Sequence, residues 1–212
     1  LKKLKNTYFE GIRKEVIDGY VHPTPNLHTV KTFRSSYSDP NLQNIPIRNP
    51  EIGRKIRRCF IPDDGCQLVE IDLVGAEVRA SACYNKDPNL IEYIEDPSKD
   101  MHRDMAAQCY CLDTKEVNKK SRYCAKNMFV FPQFYGSYYV DCARALWEAI
   151  NKMELVVGET ETTLKERLAS KGIKKLGVCN PDAKPVKETF EYHIKEVQED
   201  FWGKRFKAYA QW

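Results

Sequence analysis

The sequence predicts an α+β fold, with strands and loops in the first part of the chain and mostly helices in the second. Five prolines occur between Val21 and Pro50, and proline favours extended chain and loops over helix. Beyond Asn85, apolar residues recur at helical spacing in one segment after another. A chain of 212 residues can bury a core and form either one large domain or two small ones.

The first predicted element is a helix over residues 1–20. Its apolar side chains recur at four-residue spacing: Leu4, Tyr8, Ile12 and Val16. Extended strand and loop are predicted over residues 21–50. A β-hairpin is predicted over residues 60–73, because a turn signal at residues 62–65 precedes the strand-like residues 66–73.

A helix over residues 74–84 is predicted to pack behind that strand, since three alanines raise its helical propensity. Apolar periodicity predicts six more helices: residues 88–95, 100–110, 114–131, 137–152, 160–171 and 184–210. Asp113 and Thr114 are a predicted N-cap region, and Lys171 followed by Gly172 is a predicted helix end. The polar stretch of residues 151–186 indicates a surface excursion.

Composition restricts the class of protein. Charged residues make up 30% of the chain and hydrophobic residues 42%, which is typical of a globular protein in water. No run of 18 apolar residues occurs and residues 1–5 lack the apolar stretch of a signal peptide, so we expect no membrane partner. Five basic residues fall within eleven positions: Arg48, Arg54, Lys55, Arg57 and Arg58. Such a run is either a solvated face or a phosphate-binding patch.

Eight cysteines are scattered along the chain without a Cys-x-x-Cys pair. The close pair Cys109 and Cys111 has no histidine at zinc-ligand spacing. Scattered thiols in a chain without an export signal are typical of a reducing compartment. We therefore expect no structural zinc and a cytoplasmic location.

The most informative stretch is residues 121–137, with the sequence SRYCAKNMFVFPQFYGS. Arg122 and Lys126 are four residues apart, so on a helix they share one face and offer two positive charges. An aromatic cluster follows and ends at Tyr135 and Gly136. Phosphate prefers Arg and Lys, and a base prefers an aromatic ring, so this stretch suits a ligand with a polyphosphate and a base. The cationic pair alone would equally fit an ordinary charged helix face.

Two segments earlier in the chain contain residues that suit phosphate-bound Mg²⁺ or DNA. Asp72 ends the apolar run 68–72, where a carboxylate can either hold Mg²⁺ against phosphate oxygens or cap the following helix. Residues 34–46, with the sequence RSSYSDPNLQNIP, are rich in Arg, Asn and Gln. Such side chains can donate to the N3 and O2 acceptors that every base pair presents in the minor groove of DNA.

Residues 34–46, 71–79 and 121–136 together resemble three sequence blocks of the family A DNA polymerases, the group that includes bacterial DNA polymerase I and many phage replicases. Residues 71–79 correspond to motif A of that family and residues 121–136 to motif B. The resemblance implies part of the polymerase palm with the stem of the thumb over residues 1–101, and helical fingers over residues 102–212. It also implies a viral or phage type of enzyme in a bacterial or phage-infected cell.

The resemblance implies a role for each matching residue. Asp72 would ligate two catalytic Mg²⁺ ions, with one further oxygen from the backbone carbonyl of Leu73. Arg122 and Lys126 would contact the incoming triphosphate, and His102, in an Asp-Met-His-Arg element, would reach it too. Glu77 would exclude ribonucleotides by closing the space beside C2′ of the sugar. Four residues would touch the primer–template: Arg34, Asn41, Gln43 and Asn44.

The chain departs from the usual motif B pattern. The family places the Tyr of Tyr-Gly eight residues after the Lys, whereas Lys126 and Tyr135 are nine apart and Pro132 lies between them. An extra residue can be absorbed as a π-bulge, and a proline makes such a distortion expected. Counting back four from Tyr135 assigns the stacking role against the nucleotide to Phe131. Phe129 and Phe134 are then expected in the core.

Motif A also departs from the usual family pattern, with LVGA at residues 73–76 where the family commonly has YSQI.

The implied function is template-directed DNA synthesis: the primer 3′-hydroxyl attacks the α-phosphate of a dNTP with the help of two Mg²⁺ ions. The implied partners are primer–template DNA, dNTP and a C-terminal polymerase segment that carries motif C with the second carboxylate. Two alternatives remain. One is a fragment of a single-subunit RNA polymerase, against which Glu77 and Phe131 argue. The other is a non-catalytic DNA-binding module, against which the joint presence of Asp72, Arg122 and Lys126 argues.

Overall fold

The computed structural model of the protein describes residues 4–32, 34–46 and 50–211. The chain divides into two compact units, Leu1–Asp72 and Leu73–Trp212. Helices together with two-stranded antiparallel sheets confirm the predicted α+β class. The division into palm and fingers after residue 101 is a functional one and stays a prediction.

The first unit begins with three short elements: a π-helical segment (Leu4–Glu10), the helical turn α1 (Gly11–Arg13) and an antiparallel hairpin of β1 (Val16–Ile17) and β2 (Tyr20–Val21). The prediction of a helix as far as residue 20 is therefore wrong, and its residues 1–3 lie outside the described part of the chain. Asp18 and Gly19 both have positive φ, 50° and 87°. Asp-Gly is a preferred pair for a two-residue hairpin turn, so local turn chemistry overrides the helical spacing.

Extended chain after residue 21 is confirmed. Strands β3 (Thr24–Asn26) and β4 (Ser36–Ser38) pair antiparallel, with Pro25 opposite Tyr37. A 3₁₀ helix, Leu42–Asn44, follows, and then helix α2 (Pro50–Arg57), which the sequence did not predict. Helix α2 and the residue after it carry the basic run except for Arg48, which lies outside the described residues.

The prediction of a β-hairpin over residues 60–73 is wrong, because these residues form no strands, although the predicted turn is present. The Cys66 N–H donates to the Asp63 carbonyl at 2.9 Å, and Gly65 has a φ of 79°. The apolar side chains that follow are exposed, from 69% for Leu68 to 83% for Ile71. A strand needs a neighbour for its N–H and C=O groups, and no described residue pairs with this segment. It therefore runs as irregular, exposed chain.

The second unit is helical: α3 (Ala76–Asn85), α4 (Pro88–Glu95), α5 (Met101–Cys109), α6 (Lys119–Ala125), α7 (Phe131–Phe134), α8 (Tyr139–Lys152), α9 (Leu164–Ser170), α10 (Phe190–Asp200) and α11 (Lys207–Gln211). The predicted helices at residues 74–84, 88–95, 100–110 and 137–152 are confirmed within two residues. The predicted helix over residues 184–210 begins only at Phe190 and is interrupted at Phe206, whose φ is −123° and ψ 53°.

Short polar side chains fix where several of these helices begin. Asp87 caps α4 by accepting from the Leu90 N–H at 3.0 Å, with Pro88 at the first position, where a missing N–H costs nothing. Thr163 and Glu166 form a capping box on α9. Asp113 forms another, but only on the 3₁₀ turn Thr114–Glu116; the helix predicted over residues 114–131 begins at Lys119 and is capped by Asn118.

The predicted surface excursion of residues 151–186 is only partly at the surface. Several of its apolar side chains are buried in the same core as the helices: Leu155, Val157, Leu164, Leu168 and Ile173. Burying such side chains stabilises the fold by about 1.5–3 kcal/mol each. The excursion is thus a structured part of the second unit. No helix in the described ranges is long and apolar enough to cross a membrane.

Candidate functional site

Helix α6 begins at a well-defined cap. Asn118 Oδ1 accepts from the Ser121 N–H at 2.9 Å, and Ser121 Oγ accepts from the Asn118 N–H at 3.0 Å. This reciprocal pair satisfies two backbone donors that the first helical turn would otherwise leave unpaired. It fixes the start of the helix that carries Arg122 and leads to Lys126.

The helix then widens into the π-helical segment Lys126–Val130 before α7 begins. The predicted π-bulge is therefore confirmed at the place where the sequence has one residue too many. Pro132 has no N–H to donate to the preceding turn, which favours the distortion. Phe129 is completely buried and stacks edge-on against Phe201 with centroids 5.7 Å apart, as expected of a core residue.

Beyond the bulge, Phe131 is half-buried and is surrounded by predicted site residues. Lys126 Nζ lies 5.1 Å from the Phe131 ring centre. The His102 ring meets the Phe131 ring edge-on with centroids 5.7 Å apart, and the centroid of the tilted Tyr135 ring lies 6.5 Å from that of Phe131. With Arg122, these side chains form what we call the cation–aromatic cluster: His102, Arg122, Lys126, Phe131 and Tyr135.

Asp100 holds two parts of this cluster together. Its carboxylate receives two hydrogen bonds from Arg122, from Nε at 2.7 Å and from Nη2 at 3.1 Å. The same carboxylate caps α5 by accepting from the N–H groups of His102 and Arg103. Burial alone would raise the pKa of Asp100, but the hydrogen bonds from Arg122 and Arg103 outweigh it and lower that pKa.

Sequence reasoning missed this role of Asp100. Its position before α5 is an N-cap signal that the sequence could have given. Its pairing with Arg122, 22 residues away, depends on how two helices pack and has no local signal.

His102 differs from the two cations of the cluster in its protonation state. Burial, with further contributions from Arg122 and Lys126, lowers its pKa to about 4, so the imidazole is neutral at neutral pH. Its Nδ1 is buried and has no hydrogen-bond partner among the described residues. A buried polar atom without a partner is costly, and a ligand in the cluster could supply the missing hydrogen bond.

A second contact missed by the sequence ties the excursion to the start of α6. Asn118 Nδ2 donates to the carbonyls of Val156 at 3.0 Å and Gly158 at 2.8 Å, while its Oδ1 caps the helix. The Gly158 N–H donates in turn to the Glu116 carbonyl at 2.7 Å. We call this group of hydrogen bonds the Asn118 tether.

The remaining predicted residues lie at exposed positions. Asn41 caps the 3₁₀ helix by accepting from the Gln43 N–H at 3.1 Å, and Gln43 Nε2 donates to the Ser35 carbonyl at 3.1 Å. Arg34 and Asn44 are exposed beside them in the first unit. These bonds give the Asn- and Gln-containing segment a defined local shape.

Asp72 and Leu73 are exposed at the end of the first unit and the start of the second. Glu77 is exposed in the first turn of α3, whose start is marked by Gly75 with a φ of 62°. Such a φ suits glycine because it carries no Cβ. Within the described residues, no three His, Cys, Asp or Glu side chains are grouped as a metal site.

The chain is similar in sequence to bacterial DNA polymerases. The thermostable DNA polymerase I of Thermus filiformis is 38% identical over 143 residues, which are 64% of this chain and 16% of that protein. DNA polymerase I of Deinococcus radiodurans is 40% identical over 138 residues, with 64% and 14% covered. The chain thus spans about a sixth of the length of these curated relatives. Its predicted viral or phage type stays a prediction.

A solved structure, the POL domain of Pol1 from M. smegmatis in complex with DNA primer–template and dNTP, matches with a TM-score of 0.57 at 26% identity. The match covers 93% of this chain and 37% of that one. The family model for DNA polymerase family A matches residues 1–154, which include all three sequence blocks and the whole cation–aromatic cluster. The chain therefore belongs to DNA polymerase family A.

Proposed function

We propose that this chain takes part in template-directed DNA synthesis, as the portion of a family A DNA polymerase that binds the incoming dNTP and contacts the primer–template. The observation that carries the proposal is the cation–aromatic cluster, in which two cations, a neutral histidine and an aromatic ring lie on and beside one helix. The matched M. smegmatis structure, a complex with primer–template and dNTP, supports it.

In this proposal Arg122 and Lys126 bind the triphosphate. Asp100 uses two of the five N–H donors of the Arg122 guanidinium and holds it in place, which leaves the other donors for phosphate oxygens. Neutral His102 adds an N–H donor rather than a third charge. Phe131 and Tyr135 offer ring faces to the nucleotide.

The primer–template is assigned to the first unit and its exposed polar segment. Arg34, Asn41, Gln43 and Asn44 are residue types that donate to minor-groove acceptors, which are present at every correct base pair. Such contacts hold DNA independently of its sequence, as a replicating enzyme requires.

Family A DNA polymerases generally use divalent metal ions, and we propose Mg²⁺ for this chain. The Asp72 carboxylate and the Leu73 carbonyl are oxygen donors of the kind that Mg²⁺ takes, but they are too few for its octahedral shell. We therefore assign a further carboxylate to a polymerase segment carrying motif C, as a partner of this chain. Two bound Mg²⁺ ions would neutralise charge on the phosphates. A cytoplasmic location is part of the same proposal.

Replacing Glu77 with alanine tests whether the enzyme is a DNA or an RNA polymerase. The exposed Glu77 side chain is assigned to the space beside C2′ of the sugar, so its removal should raise rNTP incorporation while dNTP incorporation stays normal. The measurement is single-nucleotide primer extension with dNTP and rNTP, using the protein together with a segment carrying motif C. Glu95→Ala, an exposed glutamate on α4, is the matched control.

Unchanged rNTP use by Glu77→Ala would remove Glu77 from the sugar site. Preference for rNTP by the unsubstituted protein would favour the RNA polymerase alternative. Failure of any nucleotide to be incorporated, with DNA binding intact, would favour the non-catalytic binding module.

Replacing Phe131 with tyrosine should increase the use of dideoxynucleotides by about 2- to 10-fold. Family members with Tyr at the stacking position discriminate poorly, and the added hydroxyl can replace the hydrogen bond of the absent 3′-OH, a contact of roughly 0.5–1.5 kcal/mol. The measurement is the ratio of ddNTP to dNTP incorporation. Phe129→Tyr is the control, because Phe129 is fully buried in the core. An effect at Phe129 without one at Phe131 would show that the stacking residue is misassigned.

A further inference from the structure

Positive charge is concentrated in one loop of the second unit. Residues 171–187, which we call the lysine loop, contain one acidic residue, Asp182, and five lysines: Lys171, Lys174, Lys175, Lys184 and Lys187. Five lysines and one aspartate give a net charge of +4, which equals that of the whole chain. The other residues of the chain therefore sum to zero charge, although the basic run of residues 48–58, with five basic residues and Glu51, also carries +4.

The backbone of the lysine loop is fixed by the core beneath it. Ile173 and Cys179 are buried, at 8% and 6% exposure. The Phe190 N–H donates to the Lys175 carbonyl at 2.9 Å, and the Cys179 N–H donates to Glu191 Oε2 at 2.9 Å. The loop thus has a defined shape although its lysines are exposed.

The same contacts bring the lysines from the two ends of the loop near each other. Lys175 pairs with Thr189 in a parallel β-bridge, and Lys187 lies two residues before Thr189. Lys174 and Lys175 therefore lie close to Lys187 along adjacent stretches of backbone. The exposed carboxylate of Glu188 follows Lys187 directly, so this part of the surface is mainly, but not wholly, basic.

These lysines also differ from others in the same unit. Lys152, Lys195 and Lys204 each pair with a carboxylate one helical turn away, at 2.7, 3.3 and 3.5 Å. No carboxylate of the described residues lies within 4.0 Å of any of the five loop lysines. Neighbouring like charges repel each other, so a fixed surface of this kind suits an anionic partner that neutralises it.

We propose that the lysine loop binds the phosphate backbone of the DNA on which the enzyme acts, a site additional to the cation–aromatic cluster; the proposal rests on the proposed function. No aromatic residue occurs within residues 171–187, so the loop cannot stack on bases and contacts the backbone regardless of sequence. The loop lies outside residues 1–154, which the family model matches. It belongs to the excursion that the Asn118 tether joins to the nucleotide-binding helix.

The test compares two triple variants with the same change in net charge. Lys174, Lys175 and Lys187 are replaced by alanine in the first, and the carboxylate-paired Lys152, Lys195 and Lys204 in the second. Binding of a fluorescently labelled primer–template is measured by anisotropy between about 50 and 200 mM salt. Each lost phosphate contact lowers the slope of log affinity against log salt by about 0.7 on single strands and 0.9 on duplex DNA.

For the loop variant, we expect the slope of log affinity against log salt to be smaller in magnitude by about 2–3. The control variant should bind like the unsubstituted protein. Lowering the salt fourfold should then strengthen binding by the unsubstituted protein about 20- to 40-fold more than binding by the loop variant. A blunt duplex of the same length separates the two sources of phosphate. If the loop variant binds only the primer–template more weakly, the lysines contact the template overhang. If it binds both DNAs more weakly, they contact duplex DNA.

Equal losses of DNA affinity in the two variants would overturn the inference, because the effect would then come from overall charge. No loss of affinity in either variant would overturn it too. Absence of DNA binding by the unsubstituted protein would overturn it as well. The proposed nucleotide site is tested separately by dNTP binding to a Lys126 variant, so failure of the lysine loop and failure of that site give different results.

Discussion

Replacing Asp72 with asparagine is expected to lower nucleotide incorporation by several orders of magnitude when the protein is combined with a segment carrying motif C. Asparagine keeps the size of the side chain but removes the negative charge that we propose holds Mg²⁺, and losing a main electrostatic stabiliser of a reaction has effects of this size. The measurement is the single-turnover rate of primer extension, with the affinity for primer–template measured in parallel.

The substitution should leave the fold intact. The Asp72 side chain is exposed and makes no hydrogen bond or ion pair with another residue in the described ranges. Asp64→Asn, at an exposed aspartate eight residues earlier, is the matched control and should extend primers normally. A rate for Asp72→Asn within tenfold of the unsubstituted protein would exclude Asp72 as the metal ligand.

Replacing Lys126 with alanine is expected to weaken dNTP binding by about ten- to hundredfold, since a hydrogen bond to a charged group contributes roughly 1.5–3 kcal/mol. The measurement is titration of the protein with a fluorescent dNTP. Lys126→Arg keeps the charge and should retain most of the affinity. Lys152→Ala, which removes an exposed lysine from an ion pair on α8, should have no effect.

The same variant has a second readout that does not depend on nucleotide. Burial, Arg122 and Lys126 all lower the pKa of His102, in that order of contribution. Removing Lys126 should therefore raise that pKa from about 4, while burial keeps it below the ordinary value of a histidine. NMR titration of the His102 ring measures this shift. Normal dNTP binding together with a raised pKa would mean that Lys126 lies in the cluster but not in the nucleotide site.

The parts of the fold that the sequence predicts well are those with local causes. Helix α4 has an Asp cap and a proline in its first turn, and its predicted bounds match the structure. The π-bulge was predicted from a residue count and from Pro132, both of which act within one or two helical turns. The chain at residues 66–73 was wrongly predicted as a strand, because an apolar run shows the propensity to pair but not the presence of a partner.

In the candidate site, too, the sequence predicts local groupings of residues but not contacts between distant ones. Arg122, Lys126 and Phe131 follow from spacing along one helix, so the sequence is enough to group them. The hydrogen bonds of Asp100 and Asn118 join residues 22 and about 40 positions apart. They are set by the packing of separate elements, for which a single sequence carries no local pattern.

The Asn118 tether has a thermodynamic consequence. One side chain both caps helix α6 and donates to the excursion that contains the lysine loop, so displacement of either element strains the same hydrogen bonds. If DNA on the lysine loop and dNTP on the helix favour the same arrangement of these bonds, each ligand strengthens the binding of the other. Linkage requires the two effects to be equal in free energy. Asn118→Asp, which keeps the capping oxygen and removes the two N–H donors, would uncouple the two ligands while leaving the start of the helix in place.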